Sequence, residues 1–243
     1  MKIILQKIIA SSGYASRRGA EQLIRQGLVQ INGQLAQIGE QADPQIDAIT
    51  IKGRLLGDQA KKIYLKLNKP QDYVCTNRLF PGEKNIFSLI NIKERLFTVG
   101  RLDKDSRGLV LLTNDGSLTQ RLSHPKFQQE KVYEVKIKES SKKETGLDET
   151  KRNNHIITHF LRGVDIGEED SLARAKKIQC LQNNLFIITL NEGKKRQIRR
   201  MFKALDFEVV DLKRINLAGL ELGNLAEGQW AYLTEAELNK LKI

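Results

Sequence analysis

The sequence predicts an α+β protein, with a small N-terminal α/β module followed by a larger domain built on a mixed, mainly antiparallel sheet. Three observations lead there. Two short helical patterns and an Asn-Gly hairpin signal fall within roughly the first 55 residues. Later in the chain, short period-2 patterns alternate irregularly with helical ones, without the steady strand-helix rhythm of a parallel sheet. A chain of 243 residues, 40% hydrophobic and 29% charged, also has room to bury a core in both parts.

From Ile3 to Ala10 apolar residues recur at close to helical spacing, and Gly13 breaks the pattern. Ser16 is placed to cap a second helix, RRGAEQLIRQ, in which Ala20, Leu23 and Ile24 share a face and which Gly27 closes. LVQINGQLA alternates around Asn32-Gly33, and DAITIKG adds a short strand. The polar stretch GRLLGDQAKK, residues 53–62, reads as the linker, so the module is expected over residues 1–58 and the second domain over 59–243. In that domain DYVCT, RLFTVG, GLVLLTND, KVYEVKIK and NLFIITL read as strands. KESSKKETGLDETKRNN reads as an exposed connection into a helix near HIITHFL. Ile198, Met201, Phe202 and Leu205 form the core-facing stripe of another helix, and Thr234 and Glu237 have the spacing of a capping box.

Lysine and arginine number 41 against 29 acids, a net charge of +12 that fits a nucleic-acid partner without identifying one. Cys75 and Cys180 lie far apart with no CxxC, which supports neither a disulfide framework nor a cysteine zinc site and points to the cytoplasm. Gln6 and Lys7 interrupt the apolar start, and no stretch approaches the roughly 18 apolar residues of a membrane span, so no membrane partner is expected. His155 and His159 stand four apart without further plausible ligands and read as surface or packing residues. With no exposed apolar stripe asking for a partner, a monomer is expected.

The stretch GRLDKDSRG, residues 100–108, sits between two strand patterns. A calcium loop starting at Asp103 would need a ligand at its fifth position and glutamate at its twelfth; these are Arg107 and Asn114. What remains is an ionised aspartate among Arg101, Lys104 and Arg107, either a nucleophile or a salt-bridged turn, and spacing alone leaves the two close to even. A nuclease built on Asp103 and Asp105 lacks a further carboxylate cluster.

Two resemblances shift that balance. LQKIIASSGYASRRGAEQLIRQGLVQINGQ resembles the alpha-L RNA-binding module of a small-subunit ribosomal protein, which implies that Arg17, Arg18 and Arg25 lie against an RNA backbone; a solvated helix face is the plain alternative. VGRLDKDSRGLVLLTNDG, followed in order by KVYEV and GKKRQIRRMF, resembles the signature of the pseudouridine synthases. Its GRLD form is similar to the RsuA-like branch that acts on ribosomal RNA, closest to the large-subunit members.

The second resemblance implies that Asp103 is the nucleophile of a reaction that breaks the bond between uracil N1 and ribose, turns the base and rejoins it through C5. No cofactor or metal takes part, and attack on the sugar or on the base both stay open. The uridine must first leave its stack. By the same resemblance Arg101 fills or braces the vacated stack, Tyr133 lies against the flipped base, and Arg199 pairs with the carboxylate through a two-pronged contact. From the residues alone, Tyr133 reads first as an ordinary core aromatic. Lys131, Lys194, Arg196 and Arg200 are expected RNA contacts, with plain surface charge as the alternative. The implied partner is ribosomal RNA or a ribosomal subunit assembly intermediate. A catalytically silent RNA-binding or assembly factor would tolerate loss of Asp103, Tyr133 or Arg199, and all three are present.

Overall fold

The computed structural model describes residues 1–58, 60–78, 80–139, 148–167, 172–182 and 184–243. They divide into two compact units: Met1–Ile63 with Ile92–Leu96 and Thr113–Gly116, and Tyr64–Asn91 with Phe97–Leu112 and Ser117–Ile243.

In the first unit β1 (Ile3–Ile4) leads into α1 (Leu5–Ser11), and α2 (Arg17–Arg25) follows. The Ser16 hydroxyl accepts the Gly19 amide at 2.9 Å, the cap its position predicts. The strands β2 (Val29–Ile31) and β3 (Gln34–Leu35) are joined by Asn32 and Gly33, both at positive φ, 51° and 83°, as a two-residue hairpin of this hand requires. The strand β4 (Gln41–Ala42) pairs with β1, and β5 (Ile49–Ile51) pairs with both β2 and β6 (Arg54–Leu55). The last pairing corrects the linker reading of residues 53–62. Lys52 and Gly53 also take positive φ, 52° and 74°, so a second tight hairpin sends the chain back as β6, and Leu56 packs on the core. That core joins Leu5, Ile8 and Ile9 of α1 to Ala20 and Ile24 of α2 and to the inward residues of the strands.

The second unit begins with β7 (Tyr64–Lys69), β8 (Tyr73–Val74), β9 (Lys84–Asn85), β10 (Phe97–Val99), β11 (Arg107–Thr113), α3 (Gly116–Ser123) and β12 (Lys131–Glu139). It continues through α4 (Glu149–Arg162), β13 (Val164–Asp165), β14 (Leu172–Ala173), β15 (Lys177–Gln182) and β16 (Leu185–Leu190). The closing elements are α5 (Gln197–Lys203), β17 (Phe207–Leu217), β18 (Leu220–Glu221), β19 (Trp230–Tyr232) and α6 (Glu235–Lys240). Among the described residues one sheet runs β15-β16-β12-β17-β11-β7-β19, with β10 beside β11 and β18 beside β17. Four of its pairings, β15–β16, β16–β12, β12–β17 and β7–β19, are antiparallel, and β11–β17 is parallel. This is the mixed, mainly antiparallel sheet of an α+β fold.

HIITHFL lies within α4; residues 140–147 of the polar stretch before it lie outside the described residues. Ile198, Met201 and Phe202 of α5 are buried, with Phe202 against Phe160 of α4 and Phe186 of β16 at ring-centre distances of 4.6 and 5.8 Å. Thr234 and Glu237 make the expected capping box at the start of α6. No helix among the described residues is long and apolar enough to cross a membrane.

The pairing of β12 with β17 carries two irregularities. Its register shifts between Val132 and Tyr133 and again between Lys136 and Ile137, leaving Ile215 and Val210 as extra residues on β17. Tyr133 stands opposite Arg214, so that both side chains lie on one face, and the first bulge brings Leu217, opposite Lys131, onto that face as well. On the other side of β17, Gly108 of β11 lies opposite Arg214 with φ +102°, and a Cβ there would sit 2.3 Å from the Arg214 carbonyl oxygen. Only glycine permits that approach. Gly108→Ala is expected to lower unfolding free energy by about 3 kcal/mol, read from denaturant unfolding of the full chain; an unshifted midpoint would refute the packing described.

Candidate active site

The charged turn between β10 and β11 is closed by the Ser106 amide, which donates to the Asp103 carbonyl at 3.1 Å. Beneath it lies Lys69, the last residue of β7 and 0% exposed. The alternation that buries Leu65 and Leu67 buries Lys69 with them. Its ammonium donates to the carbonyls of Pro70 at 2.9 Å, Lys104 at 3.2 Å and Ser106 at 2.5 Å. Burial pushes this ammonium below the ordinary lysine value, against the pull of Cys75, Asp105 and Asp103. A desolvated cation therefore takes its solvation from the backbone of the aspartate loop and fixes that loop's path.

The two aspartates above it are unequal. Arg196 grips the Asp105 carboxylate with two hydrogen bonds of 3.1 and 2.8 Å. Arg199 donates from Nη2 to the Asp105 carbonyl at 2.7 Å and from Nη1 to the Val209 carbonyl at 2.8 Å. Its Nε lies 3.3 Å from the Asp105 carboxylate, close enough for a charge contact but not aligned as a hydrogen bond. Burial raises the Asp105 pKa, but the Arg196 hydrogen bond and the charges of Arg199 and Arg196 outweigh it and hold the carboxyl below its ordinary value. Asp103 keeps one loose ion pair, 3.8 Å to Arg196, with its side chain 46% exposed. The expected pairing of Arg199 with Asp103 is therefore not what the structure shows. Held by Val209 of β17, Arg199 reaches the far end of the turn, and the two-pronged contact is made by Arg196 with Asp105.

Beside the loop opens a cleft of about 490 Å³. Asp103 lines it together with Lys131 and Tyr133 of β12 and Arg214 of β17, while Arg101 and Arg196 line it as exposed residues. Lys131 donates to the carbonyls of Gln129 and Glu192, both at 3.3 Å; burial, then the charge of Arg214, lowers its pKa. Lys194 also lines the cleft, with its Nζ donating to the Leu172 carbonyl at 2.8 Å. Arg200 is not among the lining residues: its guanidinium is tied to the carbonyls of Ile166 and Lys195. In the first unit Arg17, Arg18 and Arg25 are exposed on α2, and Arg25 pairs with Glu21 at 2.8 Å.

A carboxylate on a braced turn, facing a tyrosine across a cleft walled by cations, suits nucleophilic work on an anionic substrate. Comparison with known proteins agrees. The profile of the RNA pseudouridylate synthase family matches residues 63–204, more than half of the chain, and that of the S4 domain matches residues 5–44. The chain belongs to the RNA pseudouridylate synthase family. It is an isomerase whose substrate is RNA. An RNA pseudouridine synthase of Aquifex aeolicus is 35% identical over 248 residues, covering 99% of this chain and 94% of that one. Ribosomal large subunit pseudouridine synthase B of Bacillus subtilis is 35% identical over 244 residues, covering 98% and 95%. A crystal structure of a pseudouridylate synthase matches with a TM-score of 0.68 at 32% identity, over 98% of this chain and 99% of that one.

Sequence reasoning missed Lys69 and Arg214. The signal for both cations was present: each is a charge at an inward position of a strand's alternation, after Leu65 and Leu67 in one case and Leu212 in the other. Because folding depresses the Asp105 pKa, its contribution to stability is present above the unfolded value of about 4 and is lost as pH falls through the folded value. Asp105→Asn is thus expected to be less stable than wild type at neutral pH, with the gap closing below about pH 4. Denaturant midpoints at the two pH values check this, and a gap independent of pH would contradict the linkage.

Proposed function

We propose that this enzyme isomerises a uridine of ribosomal RNA, in the large subunit, to pseudouridine, with Asp103 as nucleophile, Tyr133 against the flipped base and Arg199 as the brace of the nucleophile's loop. The observation that carries the reading is the shared cleft: residues as far apart in sequence as Asp103 and Tyr133 wall one space, deep enough for a base and edged with cations. The ribosomal choice is supported by the likeness to the Bacillus subtilis enzyme named for the large subunit, which extends over 95% of that protein.

With its arginines engaged by Asp105, the Asp103 carboxylate is left weakly paired and solvent-facing, as an attacking group must be. In the isomerisation the N1–C1′ bond breaks and the pair of electrons stays on the ring. The base turns about the axis that exchanges N1 and C5, a C5–C1′ bond forms, the bond made by the attacking carboxylate breaks with its electron pair returning to the carboxylate, and the proton on C5 departs as N1 takes one up. Nothing is oxidised or reduced. Arg101, exposed beside the nucleophile, occupies the stack the base has left; Arg196, Lys194 and Lys131 face the backbone around it. Residues 1–58 supply a second RNA contact through Arg17, Arg18 and Arg25 of α2. The reading extends to a monomer acting in the cytoplasm on naked ribosomal RNA or an assembly intermediate, in keeping with two free thiols, Cys75 and Cys180.

Asp103→Asn is expected to abolish pseudouridine formation in large-subunit ribosomal RNA transcript while RNA binding stays within about threefold of wild type, and a chelator is expected to leave the wild-type rate unchanged. Pseudouridine formed by the Asn variant would overturn the nucleophile. For the module, Arg17→Glu with Arg18→Glu should weaken RNA binding and lower the slope of log affinity against log salt by about two, with the rate at saturating RNA preserved. An unchanged salt slope would remove α2 from the interface.

A further inference from the structure

Arg214 is 1% exposed, the bulkiest fully buried side chain among the described residues, and it lines the cleft. Its Nε donates to the Leu109 carbonyl at 2.7 Å. Its Nη2 is buried and has no hydrogen-bond partner among the described residues. A guanidinium taken out of water with a donor unused is costly, so a fold that keeps one has either a compensating partner or a ligand for it. The backbone here is pinned on both sides. Gly108 leaves no room for Arg214 to retreat towards β11, and a regular run of pairs from Tyr133 to Lys136 holds it opposite Tyr133 on β12.

We propose that Arg214 is a substrate-contacting catalytic residue, its guanidinium donating from the cleft wall to a carbonyl oxygen of the flipped uracil, on which negative charge builds as the glycosidic bond breaks. This rests on the proposal that the cleft isomerises uridine. The ring, not the phosphate, is the group that meets it. A flipped nucleotide enters a pocket base first, because its two phosphates stay joined to the chain outside. The phosphates then meet the exposed Arg101 and Arg196, whereas Arg214 lies at the buried end of the same cleft. Tyr133, opposite Arg214 in register, can hold the ring plane while the guanidinium meets its edge.

The electron balance makes this contact count on either route. If the carboxylate displaces the base from C1′, the N1–C1′ pair passes into the ring and is shared by both carbonyl oxygens. If it adds to the ring instead, the displaced π pair moves onto a carbonyl oxygen. A preorganised cation at that oxygen is worth most where water is excluded, and it costs no reorganisation as the charge develops.

The test uses the full chain with Arg214→Gln and Arg214→Lys. Tritium release from RNA labelled at uracil C5 is followed under single turnover, on total RNA from cells lacking this enzyme and on a large-subunit ribosomal RNA transcript, with RNA affinity and thermal midpoint measured alongside. Arg214→Gln is expected to slow release about a hundredfold or more, with affinity within about threefold of wild type. Arg214→Lys keeps the charge but cannot serve both Leu109 and the ring, and is expected to be slowed about tenfold.

A Gln variant at the wild-type rate overturns the proposal, as does a loss of affinity at unchanged rate, which would make Arg214 a phosphate contact. If Arg214→Gln does not fold, Arg214→Lys decides: folded and slowed supports the contact, folded and unslowed refutes it. Wild-type release from total RNA but not from the ribosomal transcript would remove the proposed substrate and leave the role of Arg214 standing. Release from both with Arg214→Gln unslowed would do the reverse.

Discussion

Lys69 holds an ammonium group out of contact with water, and the loop that carries both aspartates is folded around it. A buried cation must find acceptors or give up its proton, and the acceptors here are three backbone carbonyls, two of them, those of Lys104 and Ser106, from the turn itself. Donating to backbone rather than to a carboxylate has a consequence for the chemistry. The loop is fixed without spending either aspartate on the fixing, so Asp105 stays free to engage Arg196 and Arg199 at the start of α5. An apolar residue at position 69 would fill the space but withdraw this donor from the Pro70 and Ser106 carbonyls, whereas that of Lys104 would keep the Asp72 amide.

The division of charge above Lys69 explains why a sequence with two aspartates two positions apart uses them differently. Asp105 meets Arg196 face to face and has Arg199 at its back, so its negative charge is consumed in holding the start of α5 against the turn. Asp103, on the cleft side of the same turn, retains a long contact to Arg196 alone among the ion pairs of the described residues. Swapping these roles would put the well-paired carboxylate on the cleft, where each hydrogen bond a carboxylate accepts makes it a weaker nucleophile. An arginine that braces Asp105 leaves the Asp103 carboxylate more available to the cleft than one that grips Asp103 itself.

What could be read from the sequence depends on how local each signal is. The Ser16 cap, the Asn32-Gly33 hairpin, the stripe of α5 and the capping box at Thr234 and Glu237 are each decided within a few residues, and each is found in the fold. The strand β6 was hidden because Lys52-Gly53 does the work of an Asn-Gly turn without its usual composition, leaving a polar stretch that looks like a connection. Nor did β17 announce itself, although it is central to the sheet. Bulges at Val210 and Ile215 each break the period of two, and one of its inward positions is an arginine. The order of motifs brought Asp103 and Tyr133 into one site, but the partner of Arg199 could not be read that way. Which of two nearby carboxylates a guanidinium meets is set by the bulged register of β17, where Val209 anchors it, and not by spacing along the chain.

The same bulge that hides β17 from sequence reading also builds the site. The extra residue at Ile215 turns Leu217 onto the face that Arg214 and Leu212 share, so that Lys131, opposite Leu217, and Tyr133, opposite Arg214, line one cleft. A regular strand would be easier to recognise, but its Leu212 and Leu217, five positions apart, would stand on opposite faces. The irregularity is held in place by a regular feature on its other side, the close parallel approach of Gly108 to Arg214. β17 thus joins a tight, glycine-dependent contact on one edge to a bulged, adjustable one on the other, and the cleft lies on the adjustable side, where a one-residue change in the strand decides which side chains share a face.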